Sequence, residues 1–215
     1  MASHKFVALD SWRGIAALTV AFGHLKTSGF LSTLPVASGS YRFVDFFFVL
    51  SGFVIAHSSG VRIASKRGEI WPFFIRRIAR LWPLHLFVLG LFAAYRVLLA
   101  IAKILGLRAG SAAFEGEFAL AWLPANLTMT QAWGFLPMAT WNEPAWSISA
   151  EFAAYITFAL CHAAFGARGW IALAVIGALA AMFTLLHPRV MQATYDLALV
   201  RCLLSFSAGV LAYIA

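Results

Sequence analysis

Apolar residues fill this chain in blocks long enough to cross a bilayer, and that pattern decides most of what it can fold into. A helical span takes about 20 apolar residues, because the hydrocarbon layer is roughly 30 Å thick and a helix rises about 1.5 Å per residue. Six such blocks are read along the 215 residues: 6–25, 43–57, 81–102, 146–165, 170–186 and 197–215. A further block, 118–133, is apolar but short, and it carries Pro124, Asn126, Thr128, Thr130 and Gln131. It is either a short span shielded by protein or a re-entrant segment, since lipid cannot satisfy an exposed irregular backbone. The expected fold is therefore all-α: a polytopic transmembrane helix bundle of about six spans plus one short or re-entrant segment. A single domain over 1–215 is expected.

Composition excludes the alternatives. Only 11% of residues are charged, against roughly a quarter in a soluble domain, so a water-covered surface cannot be built. The alternating ten-residue segments of an outer-membrane barrel are missing. Cys161 and Cys202 lie inside apolar blocks, where they read as small buried hydrophobes rather than a disulfide framework. The first block contains Asp10 and Arg13 and reads as a retained span, not a cleavable leader.

The net charge of +8 concentrates between spans, which points to membrane orientation or a phosphate-bearing ligand, and nucleic acid is not expected as a partner. Arg62, Lys66, Arg67, Arg76, Arg77 and Arg80 crowd residues 60–80, while the preceding connection 26–42 has only Lys26 and Arg42. By the positive-inside rule the 60–80 segment is cytoplasmic, and so is the N-terminus. Arg168 places the 166–169 turn on that side too. With this parity Asn142 and Glu143 face outward, and 118–133 is re-entrant.

Ionisable groups inside spans cost a few kcal/mol each and mark a site by default. The first span holds Asp10, Arg13 and His24. Arg13 and His24, eleven apart, differ by only about 20° around the helix and by about 16 Å along it. Asp10 neighbours Arg13 on the same stripe. His24 is the strongest general-base candidate among the six histidines, because neutral imidazole accepts a hydroxyl proton near pH 7. The plainer alternative has Asp10 and Arg13 at the interface and His24 capping a helix end. Asp45 opens the second span, where it is a site acid or an acid favoured by the helix dipole. Ser51 and Gly52 let a helix or a thin ligand approach the backbone. Arg76, Arg77 and Arg80 precede the third span and suit bidentate phosphate binding, or contact with anionic lipid. Ser147 and Glu151 share a helical face just after Asn142 and Glu143, either as a polar patch of the site or as interhelical packing.

Four blocks together resemble the acyltransferase family 3 integral-membrane O-acyltransferases. Leu9-Asp10-Ser11-Trp12-Arg13-Gly14-Ile15-Ala16-Ala17 leading to His24 is similar to the family's opening. Val44-Asp45-Phe46-Phe47-Phe48-Val49-Leu50-Ser51-Gly52-Phe53 resembles its second span, and Arg77-Ile78-Ala79-Arg80-Leu81-Trp82-Pro83 its Arg-x-x-Arg element. Trp146-Ser147-Ile148-Ser149-Ala150-Glu151 resembles its Trp-Ser-Leu-Ser-Val-Glu block. The resemblance implies transfer of an acyl group, usually acetyl, from acyl-CoA on the cytoplasmic side to a hydroxyl of a carbohydrate or lipid-linked acceptor. It implies His24 as catalytic base, Arg13 as its partner, Arg77 and Arg80 (with Arg76 beside them) on the donor phosphates, and Glu151 on the acceptor side. Asp10, Asp45, Ser51, Asn142 and Ser147 are expected to support these.

The partners expected are membrane lipid, acyl-CoA as co-substrate and the acceptor, in a bacterial inner membrane. No metal and no tightly bound cofactor are expected. Family members continue for several spans past Ala215, so this chain reads as the N-terminal portion of the usual domain. Poor transfer is expected unless the chain self-associates or meets a complementary partner. The competing readings are a channel or transporter whose intramembrane Arg, Asp and His line an ion or proton path, and an inactive fragment acting only as an interaction partner.

Overall fold

The computed structural model describes residues 7–24, 39–65, 67–107 and 112–215. Most of the 26–42 connection and the side chain of Asp10 lie outside the described residues. Among these residues the regular structure is helical, with no strand. Helix α1 spans Val7–His24. Helix α2 spans Arg42–Ile55 and passes through a π-helical turn, Ala56–Gly60, into α3, Val61–Ser65. Helix α4, Ile70–Ile104, has 35 residues and a length of about 52 Å. A five-residue helix α5, Leu123–Leu127, lies among short 3₁₀ turns. Helices α6, Trp146–Phe165, α7, Gly169–Leu186, and α8, Ala198–Ile214, complete the chain.

Three stretches are long and apolar enough to cross a membrane: Arg42–Ser65, Ile70–Ile104 and Glu143–Leu186, with Ala198–Ile214 as a shorter apolar helix. The third stretch holds both α6 and α7, which reverse at Gly166, whose φ of +53° favours a residue without Cβ. Two boundaries differ from expectation. The second span does not stop at His57, because Gly60 continues the helix and lets the Trp170 ring pack where a Cβ would stand. The third begins at Ile70 rather than at 81, since Trp71, Phe74, Ile75 and Ile78 recur at helical spacing and keep one apolar face through the basic stretch.

The segment 112–145 contains the ambiguous block. It hangs beside α4: Arg96 donates to the Ala113 carbonyl and lies 4.1 Å over the Phe118 ring. Further along, Trp82 donates to the Leu127 carbonyl (2.8 Å) and buried His85 to that of Asn126 (2.7 Å). From the level of Arg96 to that of Trp82 is about 21 Å along the helix axis. The chain then returns, with Trp141 donating through its backbone N–H to Glu117 and through its indole to Ala119. Descent and return leave α6 starting at the end of the bundle where α4 finishes, the path along α4 that a re-entrant segment would take.

The core lies where α2, α6, α7 and α8 meet. A Cβ on Gly52 would run into the Phe206 carbonyl and one on Gly209 into that of Val49, so α2 and α8 touch backbone to backbone. Around this crossing pack Phe48, Tyr155, Phe158, Leu173 and Phe206, each no more than 2% exposed, with Phe73 of α4 against Tyr155 and Phe158. At one end of the bundle α3 meets the 166–168 turn, so the basic 60–80 region and Arg168 share an end, as their charges imply.

At the opposite end Arg201 ties three elements together. It is 1% exposed, and its Nε and Nη2 donate to the two oxygens of Asp45 at 2.7 and 2.9 Å. Its remaining donors reach the carbonyls of Tyr41 (2.8 Å) and Ala193 (3.2 Å), and its guanidinium lies 5.0 Å over Trp146. Asp45 is thus the counterion of a buried arginine.

Candidate functional site

A cavity of about 650 Å³ opens between α1, α2, α4 and the start of α6. Its polar lining consists of Arg13 and His24 from α1, Ser51 from α2, Arg80 from α4, and Ser147 and Glu151 from α6. The rest is apolar, with Val20, Val44, Phe47, Phe48 and Leu81 among the walls. Four separate helices therefore deliver, to one space, six side chains that the sequence pattern singled out. The α1 stripe explains how a single helix reaches both ends of it: Arg13 and His24 share a face about 16 Å apart.

His24 is exposed at the end of α1, and its Nδ1 donates to the Val20 carbonyl at 2.8 Å. That bond reaches back four residues to a carbonyl in the last turn of α1, and because a carbonyl only accepts, it puts a proton on Nδ1. Nε2 then keeps its lone pair, the atom a general base needs.

Glu151 faces the cavity one helical turn from Ser147. Its Oε1 accepts the hydroxyls of Ser51 and of Tyr155, while among the described residues no protein group donates to Oε2. Ser51 thus binds the carboxylate, while its neighbour Gly52 provides the close approach to α8, the helix-packing role of the two the sequence left open. Ser147 Oγ donates to the Pro144 carbonyl at 3.1 Å, in the turn that leads into α6.

The three arginines of α4 diverge. Arg80 lines the cavity and is exposed there. Arg76 points away and meets Glu69 at 3.8 Å in a half-exposed pair of small energetic value. Arg77 turns inward, 5.5 Å over Phe73 and 5.9 Å over Tyr155, and its buried Nε lacks a hydrogen-bond partner. Asp45 is engaged by Arg201 and does not line the cavity. Asn142 is half-buried ahead of the 3₁₀ turn Glu143–Ala145, where its backbone carbonyl accepts from Ala145, and it too stands outside the lining. Asp10 contributes its backbone to α1, its side chain being outside the described residues.

Two participants were absent from the sequence reading. Arg201 is an ionisable residue in the last apolar block, the same signal that singled out Arg13. Tyr155 lies four residues after Glu151, the spacing at which helical side chains meet, although its ring reads as ordinary core.

Comparison with known proteins gives the chain relatives. The model of a family described as an acyltransferase domain matches residues 6–215. The chain is 36% identical over 168 residues to protein 2 in the picA locus of Rhizobium radiobacter, an alignment covering 72% of this chain and 81% of that protein. It is 31% identical over 167 residues to acyltransferase MdmB of Streptomyces mycarofaciens, covering 74% of this chain and 39% of that enzyme's length. No solved structure matches the chain.

Proposed function

The chain belongs to this acyltransferase family, and from that premise we propose that it moves an acyl group, acetyl in the simplest case, from acyl-CoA to a hydroxyl of a carbohydrate or lipid-linked acceptor. The observation that carries the reading is the convergence of His24, Arg13, Arg80 and Glu151 on one cavity walled otherwise by apolar side chains. Acyl-CoA is the co-substrate, and nothing else needs to be held tightly.

The chemistry follows from the atoms available. His24 Nε2 takes the proton of the acceptor hydroxyl as its oxygen attacks the thioester carbonyl carbon. A C–O bond forms, and the carbonyl electrons pass to oxygen. When the tetrahedral species collapses, the C–S bond breaks and the CoA sulfur leaves, taking its proton from the imidazolium. The imidazole returns to its starting state, so the transfer is catalytic in His24. Charge on the tetrahedral oxygen and on the donor phosphates calls for cations, and Arg13 and Arg80 are the two that line the cavity. The roughly 16 Å between Arg13 and His24 suits an extended pantetheine arm with its phosphate near one and its thioester near the other. Glu151 Oε2 is available to accept a hydrogen bond from an acceptor hydroxyl.

In this reading the basic end of the bundle faces the cytoplasm of a bacterium and admits the donor, and His24 stands toward the outer end of the inner membrane. The test is compositional: acylation of cell-surface glycans and lipids is compared with the gene deleted, restored, and restored as His24→Ala. Loss on deletion, return with the parent and no return with His24→Ala supports the reading. Unchanged acylation in all three strains overturns it.

A further inference from the structure

Arg77 and Tyr155 stand behind Glu151, outside the cavity lining. Tyr155 is 2% exposed and gives its hydroxyl to the same carboxylate oxygen that Ser51 bonds. Two donors on Oε1, arriving from α2 and from one turn further along α6, fix the plane of the carboxylate. They leave Oε2 as the oxygen a ligand can reach. Behind the tyrosine ring lies the Arg77 guanidinium, shared between the faces of Tyr155 and Phe73 and close enough to Glu151 to feel its charge. Arg77 also lies beside Arg76 and Arg80, so two like charges oppose its burial. A guanidinium placed there for phosphate binding would line the cavity, as Arg80 does. Instead its Nε is buried without a partner and its guanidinium carbon lies 5.5 and 5.9 Å from two ring centroids, the placement of a cation serving a neighbouring anion.

Resting on the reading of Glu151 as a cavity carboxylate, we propose that Tyr155 and Arg77 are positioning residues that hold Glu151 with Oε2 presented to the acceptor, and that Arg77 is not a ligand of the donor phosphates. Tyr155 acts through a hydrogen bond and Arg77 through charge and ring contact. Neither touches substrate. The Arg-x-x-Arg element thus divides: Arg80 serves the cavity, and Arg77 serves the carboxylate on the facing helix.

The experiment uses the full chain in nanodiscs, with acetyl-CoA as the probe, and compares Arg77→Gln, Arg77→Lys, Tyr155→Phe, Arg80→Gln and Glu151→Gln. Three quantities are read: the dissociation constant for acetyl-CoA, the rate of CoA release, and the ¹³C carboxyl resonance of Glu151, assigned by its loss in Glu151→Gln. Arg77→Gln and Tyr155→Phe are expected to shift that resonance and to slow CoA release about tenfold with unchanged KM, consistent with loss of positioning. Acetyl-CoA affinity should stay within about twofold of the parent in both, whereas Arg80→Gln should weaken it at least tenfold and leave the resonance in place. Arg77→Lys keeps the charge and should recover part of the rate.

Two outcomes overturn the proposal. One is a loss of acetyl-CoA affinity in Arg77→Gln matching that of Arg80→Gln. The other is a Glu151 resonance that neither Arg77→Gln nor Tyr155→Phe moves. The resonance decides even if release is too slow to follow. If Glu151→Gln itself releases CoA at the parental rate, the role of Glu151 fails, while a moved resonance would still show that Tyr155 and Arg77 hold it.

Discussion

Replacing Asp45 with alanine removes the counterion of an arginine that has almost no contact with solvent. The side chain of Arg201 is 1% exposed and that of Asp45 is 15% exposed, so the two partners are not equivalent. Without Asp45, the guanidinium retains two carbonyl acceptors and the Trp146 face, none of which neutralises its charge. Breaking a buried pair from one side costs about 3–5 kcal/mol, because a charge is left in a medium that cannot solvate it. Arg201→Met should cost less, about 1–3 kcal/mol, since Asp45 is nearer to water and loses a hydrogen-bonded partner rather than becoming a buried lone charge. The double variant Asp45→Leu with Arg201→Met carries no unpaired charge and should recover most of the loss, as apolar replacements of buried pairs commonly do. The assay is reversible unfolding in mixed micelles by titrated SDS, followed by helical circular dichroism and by the fluorescence of Trp146 beside the pair. An Asp45→Ala protein within about 0.5 kcal/mol of the parent would refute the reasoning, as would a double variant no more stable than Asp45→Ala.

His24→Ala should reduce acyl transfer by about 10²–10⁴ while leaving membrane insertion and the unfolding midpoint unchanged, measured by CoA release and by the same SDS titration. Gly52→Val should destabilise by about 1–3 kcal/mol or more, because a side chain there meets the Phe206 carbonyl and must push α2 away from α8; the unfolding midpoint reads it. A cysteine at Ser65, next to the basic end, should resist a membrane-impermeant thiol reagent in intact cells and react after permeabilisation, if the proposed orientation, drawn from the six cations of 60–80, is right. Labelling in intact cells would reverse the orientation and the side from which donor arrives.

Much of this architecture was legible because lipid imposes simple rules on a sequence. Uninterrupted apolar blocks gave the helices, and 146–165 agrees with α6 at both ends. Boundaries went astray where a glycine or an arginine carried two meanings. The second apolar block ends at His57, but Gly60 accommodates Trp170 and the helix goes on; the basic stretch to Arg80 stands outside the third block, though it continues as helix from Ile70. For the cavity, the cost of charge in lipid singled out Arg13, His24 and Glu151, and helical periodicity placed Arg13 and His24 on one stripe. What periodicity cannot give is direction across helices. Nothing local in Arg76-Arg77-Ile78-Ala79-Arg80 says that Arg77 turns to Tyr155 on another helix while Arg80 turns to the cavity. The Asp45–Arg201 pair joins residues 156 positions apart, and only the close crossing of α2 and α8 brings them together.

The most direct test of the central claim follows labelled acetyl groups in inverted inner-membrane vesicles, whose cytoplasmic face is open to a donor that cannot cross the bilayer. Vesicles containing the parent protein and supplied with acetyl-labelled acetyl-CoA should place label in the glycan or glycolipid fraction and release CoA. Vesicles with the same amount of His24→Ala protein should do so at least about 10²-fold more slowly. Equal incorporation by parent and His24→Ala, or none above protein-free vesicles with the parent, would contradict an acyl-transfer site built on His24 in this cavity.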